Sequence, residues 1–115
     1  MAVTSAATGT QTASIGTEHT LFDTTAAGTY NVSVDTSQMA SVDVLELRVY
    51  EMAKAGGTRQ VLYVQTVFAA ASGDPVIWAS IPASTSLTDS GALRFTLKQT
   101  VGTGRTYDYT VRKFA

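Results

Sequence analysis

The 115-residue chain has no cysteine, only two prolines and one histidine. It also has no apolar run near the roughly 20 residues that cross a bilayer as a helix. Each absence removes a class of protein. Without cysteine there is neither a disulfide framework nor a thiolate metal site, so the fold rests on its own core. A chain of this length buries roughly two thirds of its unfolded surface, enough for one modest core in one domain. Charge is scarce as well. Charged residues make up 15% of the chain, with 8 basic and 9 acidic side chains and a net charge of -1; a typical soluble domain has about 25%. There is no basic excess to displace counterions from nucleic acid and no drive toward anionic membranes. Met1-Ala2-Val3-Thr4-Ser5 has neither a basic nor an apolar segment, so no secretion signal is expected.

What stands in place of charge is Ser and Thr. An uncharged polar surface weakens repulsion between copies and favours dense packing of many of them. Met1 to Ser14 is a Thr/Ala/Ser/Gly tract with almost no large apolar residue. It cannot by itself offset the entropy of ordering, so it reads as a flexible terminus or as an arm that orders against a neighbouring subunit.

From Ile15 onward the pattern has the period of two that marks strands. Ile15 to Phe22 is a short strand candidate. Thr29 to Val34 sets Tyr30, Val32 and Val34 against Asn31 and Ser33. Val42 to Met52 sets Leu45, Leu47 and Val49 against Glu46, Arg48 and Tyr50. Ala53 to Thr58 contains Gly56 and Gly57 and reads as a hairpin connection into Arg59–Ala69. Ser72-Gly73-Asp74-Pro75 is a turn, Val76 to Ile81 a short strand, and Pro82 to Gly91 a polar loop. Ala92 to Thr100 sets Leu93, Phe95 and Leu97 against Arg94, Thr96 and Lys98. Arg105 to Lys113 sets Tyr107, Tyr109 and Val111 against Asp108, Thr110 and Arg112. Val101-Gly102-Thr103-Gly104 between them is expected to close a hairpin. No helix is expected. Leu45, Leu47, Val49, Leu93, Phe95 and Leu97 are expected to face one core.

Chemistry-bearing residues are thinly spread. His19 is next to Glu18, but neighbours on a strand point to opposite faces. Asp23, Asp35, Asp43, Asp74, Asp89 and Asp108 occur singly, without the spacing of a calcium loop. Gly102-Thr103-Gly104 lacks the rest of a phosphate-binding fingerprint and a following helix. Trp78, Tyr30, Tyr50, Tyr63, Tyr107 and Tyr109 offer either a stacking platform or, at alternating strand positions, core and interface packing. Arg94, Lys98, Arg105, Arg112 and Lys113 gather near the C-terminus, as a solvated face or as a docking patch suited to arginine's fork of donors.

Leu97-Lys98-Gln99-Thr100-Val101-Gly102-Thr103-Gly104-Arg105, followed by Tyr107 and Val111-Arg112-Lys113, resembles the C-terminal part of small proteins encoded in tailed-phage structural gene clusters. Leu45-Glu46-Leu47-Arg48-Val49-Tyr50-Glu51 is similar to an earlier segment of the same group, and the resemblance runs from about Thr17 to the C-terminus. It implies a virion structural role, as a head decoration or cement protein, and brings no catalytic residues with it.

The expectation is therefore an all-β chain: an antiparallel β-sandwich or jelly-roll-like barrel of seven to eight strands. Residues 1–14 form an arm and residues 15–115 a single domain. The expected function is non-enzymatic binding and stabilisation of a phage capsid. The rivals are a tail, fibre or adaptor component of the virion and a carbohydrate-binding module. The expected partners are the major capsid protein and further copies of the chain, as a dimer or trimer. No nucleic acid, membrane, small-molecule substrate, cofactor or metal is expected. The candidate interface residues are Arg94, Lys98, Arg105, Arg112, Lys113 and Trp78. The expected location is the virion, after assembly in a reducing bacterial cytoplasm.

Overall fold

Alternating β-branched and aromatic residues favour a pleated, half-buried surface, and the chain takes that form almost throughout. The computed structural model describes residues 3–68 and 77–114. Within these residues there are nine strands and no helix: β1 (Val3–Thr12), β2 (Glu18–Asp23), β3 (Gly28–Asp35), β4 (Val44–Met52), β5 (Arg59–Phe68), β6 (Ile77–Ala79), β7 (Ala83–Thr85), β8 (Leu93–Val101) and β9 (Thr106–Phe114). One sheet runs β1-β9-β3-β6, with β7 also paired to β3; the other runs β2-β8-β4-β5. Every pairing is antiparallel.

The two sheets meet through the inward parity of their central strands. Tyr30, Val32 and Val34 of β3 and Tyr107 and Val111 of β9 pack against Leu45, Leu47 and Val49 of β4 and Leu93, Phe95 and Leu97 of β8. All six residues expected to face one core do so. Phe95, Leu45, Leu93, Leu97 and Tyr107 have no solvent exposure at all. The hairpin across Ala53–Thr58 forms as expected, with Met52 opposite Arg59. Tyr63 of β5 and Trp78 of β6 stack at 6.4 Å between ring centroids and close one side of the sandwich.

The structure departs from the sequence reading in three places. The first is the last connection. Strands β8 and β9 do not pair with each other: β8 lies between β2 and β4, while β9 lies between β1 and β3. Residues Val101 to Gly104 form an arch between the sheets and not a hairpin turn. The cause is the burial of Gln99 and Tyr107, which turn their side chains toward each other inside the sandwich and splay the strands apart.

The second departure is the N-terminal tract. Its described part is β1, paired with β9 from Val3 opposite Phe114 to Thr12 opposite Thr106. Small residues make this possible. Gly9 sits opposite Tyr109 with little room to spare, and Thr8 and Thr10 donate their hydroxyls to the Tyr109 carbonyl and the Asp108 carboxylate. The ladder and threonine hydrogen bonds hold a strand that buries little apolar surface. The third departure concerns boundaries. The first core strand starts at Glu18 and not at Ile15, and the stretch from Pro82 to Gly91 contains the short strand β7. The turn expected at Ser72-Gly73-Asp74-Pro75 lies outside the described residues.

Phe95→Ala removes a fully buried ring at the centre of β8 and is expected to cost about 3–5 kcal/mol by urea denaturation. Val64→Ala on the solvent side of β5 is expected to stay within about 0.5 kcal/mol of the parent.

Candidate functional site

A polar lock holds the arch. Asp43, just before β4, is buried, and its carboxylate accepts hydrogen bonds from the Ala40 N–H at 2.7 Å and the Thr103 N–H at 3.3 Å. The Arg105 guanidinium closes on it at 2.8 Å. Burial pushes the carboxyl pKa up, but the Ala40 N–H, Arg105 and the Thr103 N–H outweigh it and hold Asp43 below the usual carboxylate range. Gln99, also fully buried, donates to the carbonyls of Val101 and Thr103 and accepts from the Arg105 N–H and the Tyr107 hydroxyl. Gly102 has a φ of 97°, and a Cβ there would run into the Asp43 carboxylate, so only glycine fits. The Tyr107 hydroxyl is pushed up to about 12 by burial and by the charge of Asp43, against the opposing influence of Arg105.

The outer face of the β2-β8-β4-β5 sheet carries a band of paired charge. Glu18 Oε2 accepts from the Tyr50 hydroxyl and the Thr96 hydroxyl, each at 2.6 Å. Partial burial raises the Glu18 pKa. The two hydroxyls and the nearby Arg48 and Lys98 lower it, and the net shift is downward. Arg94 grips Asp23 with two bonds, at 2.6 and 2.9 Å, and Arg48 pairs with Glu46 at 2.6 Å. A shallow depression of about 400 Å³ lies among Glu18, Thr20, Tyr50, Arg59, Arg94 and Thr96. Glu18, Tyr50 and Thr96 bond within it, while Arg94 turns to Asp23 and Arg59 to the Gly91 carbonyl.

The sequence-nominated interface residues do not form one patch. Arg94 and Lys98 share this outer face, on β8. Arg105 is committed to Asp43 at the arch. Arg112 lies on the outer face of the opposite sheet, hydrogen-bonded to Ser33. Lys113 stands over the Tyr30 ring at 5.8 Å from its centroid. Trp78 is half-buried against Tyr63. Because β8 and β9 belong to different sheets, residues close in sequence are split between opposite sides of the molecule.

His19 accepts a hydrogen bond from the Ser14 N–H at 3.2 Å through Nε2, while Glu18 faces Tyr50 and Thr96. The two do not form a dyad. Among the described residues no group of three or more His, Asp or Glu could hold a metal ion. Tyr30 and Tyr107 are core residues, and Tyr63 stacks on Trp78. Among the described residues, these four rings form no exposed coplanar strip.

Sequence reasoning missed Asp43, Gln99 and the Glu18–Tyr50–Thr96 cluster. One signal was present: Gln99 continues the inward parity of Leu93, Phe95 and Leu97, and a glutamine there needs buried partners. The cluster had none, since it joins three strands distant in sequence.

The architecture defines an antiparallel two-sheet β-sandwich. No protein-family model, curated protein or solved structure matches the chain.

The lock makes stability depend on pH at both ends. Because the folded pKa of Asp43 is depressed, its contribution is full above the ordinary value of 3.8 and is lost as pH falls through the folded value. Asp43→Asn is expected to cost about 2–4 kcal/mol at pH 7 and to flatten the acid limb of the stability curve. Tyr107 has a raised pKa, so its contribution is full below 10 and is lost as pH rises toward about 12. Tyr107→Phe is expected to remove that alkaline loss. Urea melts across both pH ranges measure each effect.

Proposed function

We propose that this protein is a non-enzymatic structural component of a phage virion that docks on the capsid as a decoration or cement protein. The observation that carries the reading is the paired charge on the outer face of the β2-β8-β4-β5 sheet. Arg94 and Arg48 are held by Asp23 and Glu46, and the Tyr50 and Thr96 hydroxyls both donate to Glu18. A rigid surface of this kind loses little side-chain entropy on meeting another rigid surface, and mixed charge fixes the register of docking. Low net charge lets many copies sit close together. The resemblance of the segments around Leu45–Glu51 and Leu97–Lys113 to small tailed-phage structural proteins points the same way. Each bound copy would add binding free energy to the assembled shell and lower the chance of its local opening. The partner is the major capsid protein, and Arg94 and Lys98 lie on the docking face. A carbohydrate-binding role finds little support in rings that are buried or stacked on each other.

The test is co-sedimentation of the purified chain with expanded capsids of its own phage. Saturable binding and a higher rupture temperature are expected. Lys98→Gln is expected to weaken binding several-fold with only a small change in melting temperature, while Arg112→Gln on the opposite face leaves binding intact. Absence of binding to heads, or binding to tails instead, would overturn the reading.

A further inference from the structure

Among the sheet edges of the described residues, β5 carries the most exposed apolar side chains. Among the described residues, ten large hydrophobic side chains are exposed, and Val61, Leu62, Val64 and Phe68 lie on β5. Phe68 is 69% exposed. No strand among the described residues pairs with the outer edge of β5, although its inner edge is bonded to β4 along its whole length. The strand has no proline, lysine or acidic residue, the usual guards of an open edge, and its single charge is Arg59 at one end. Its one irregularity is at Leu62, which has no partner on β4 and limits the flat stretch to Leu62–Phe68.

We propose that the chain pairs with a second copy of itself through β5, antiparallel about a two-fold axis at Gln65. This inference rests on the edge itself and stands apart from the capsid reading. Antiparallel partners must share a face, so the sum of paired residue numbers is even along a regular stretch. An axis at Gln65 then sets Leu62 against Phe68 of the second copy and Val64 against Thr66 of the second copy. The two most exposed side chains of the strand's solvent face are covered by apolar partners, and on the inner side Tyr63 meets Val67 of the second copy. The self-pairing is also electrostatically permissive. The two Arg59 side chains fall at opposite ends of the new ladder, about 40 Å apart at ~3.3 Å per residue, beyond the reach of mutual repulsion in salt. The contact joins two four-stranded sheets into one of eight strands. Seven paired residues across a sandwich 19 Å thick cover roughly 450 Å² on each copy, the size of a weak, reversible pair. Such a pair becomes effective where copies are already held at high local concentration.

Sedimentation equilibrium of the full chain tests the proposal directly. A dimer with a dissociation constant in the range of about 1–100 µM is expected. Val64→Lys is expected to weaken it about tenfold by placing two like charges diagonally across the seam on an open edge, with the far-UV spectrum unchanged. Val3→Lys, on the far edge of the other sheet, is expected to leave it intact. The chain has no native cysteine, so Gln65→Cys gives a second, independent readout. Residues facing each other across the axis come close enough for a disulfide, and a covalent dimer is expected under mild oxidant where Val3→Cys gives none. A parent chain that is monomeric at about 1 mM, a Val64→Lys variant that dimerises as well as Val3→Lys, or equal cross-linking of the two cysteine variants would overturn it.

Discussion

The arch between β8 and β9 decides what kind of molecule this is. Two strands joined by four residues would ordinarily zip into a hairpin, since adjacent antiparallel pairing satisfies the most backbone groups over the shortest loop. Here the residues flanking the turn make that pairing the poorer choice. Gln99 and Tyr107 bond to each other inside the sandwich, and Asp43 reaches across from the start of β4 to hold Ala40, Thr103 and Arg105. The turn's own carbonyls are taken by Gln99. A hairpin would leave this buried polar set without partners, at a cost of about 1–3 kcal/mol for each unsatisfied group. The lock thus sends β9 into the sheet with β1 and β3, leaves β8 between β2 and β4, and fixes which faces look outward.

The placement of the surface features follows from that crossover. With β8 in one sheet and β9 in the other, Arg94 and Lys98 are displayed on one outer face and Arg112 on the opposite one. The β2-β8-β4-β5 face acquires its band of paired charge from strands far apart in sequence. Glu18 meets Tyr50 and Thr96 there only because β8 sits between β2 and β4. The same strand order leaves β5 as an outer strand, its flank closed inward by the Tyr63–Trp78 stack and its solvent side bare. In the proposed virion role these two surfaces divide the work: the charged face meets the capsid, and the β5 edge meets a neighbouring copy.

Much of the fold was legible in the sequence because strand periodicity is a local property. The parity of Leu45, Leu47 and Val49, and of Leu93, Phe95 and Leu97, named the core and its facing strands. What stayed hidden was partnership. Nothing local distinguishes an arch at Val101–Gly104 from a hairpin, since both need glycine and a tight reversal. The difference lies in Asp43, about sixty residues upstream. The Thr-rich beginning was misleading for a related reason. Its composition cannot drive folding alone, and its order comes from a ladder to β9 at the other end of the chain. The candidate docking face was partly legible. Arg94, Lys98 and Arg112 were named from their parity, Arg105 and Lys113 from their nearness in sequence and Trp78 as an aromatic; the crossover puts Arg112 on the opposite face from Arg94 and Lys98.

A cryo-EM map of the assembled phage particle tests the proposed role most directly. The account predicts copies of the sandwich on the outside of the head, with the face bearing Arg94 and Lys98 against the major capsid protein and β5 turned toward neighbouring copies. Density for the chain confined to the tail or baseplate, or a head-bound copy resting on the Arg112 face, would contradict it.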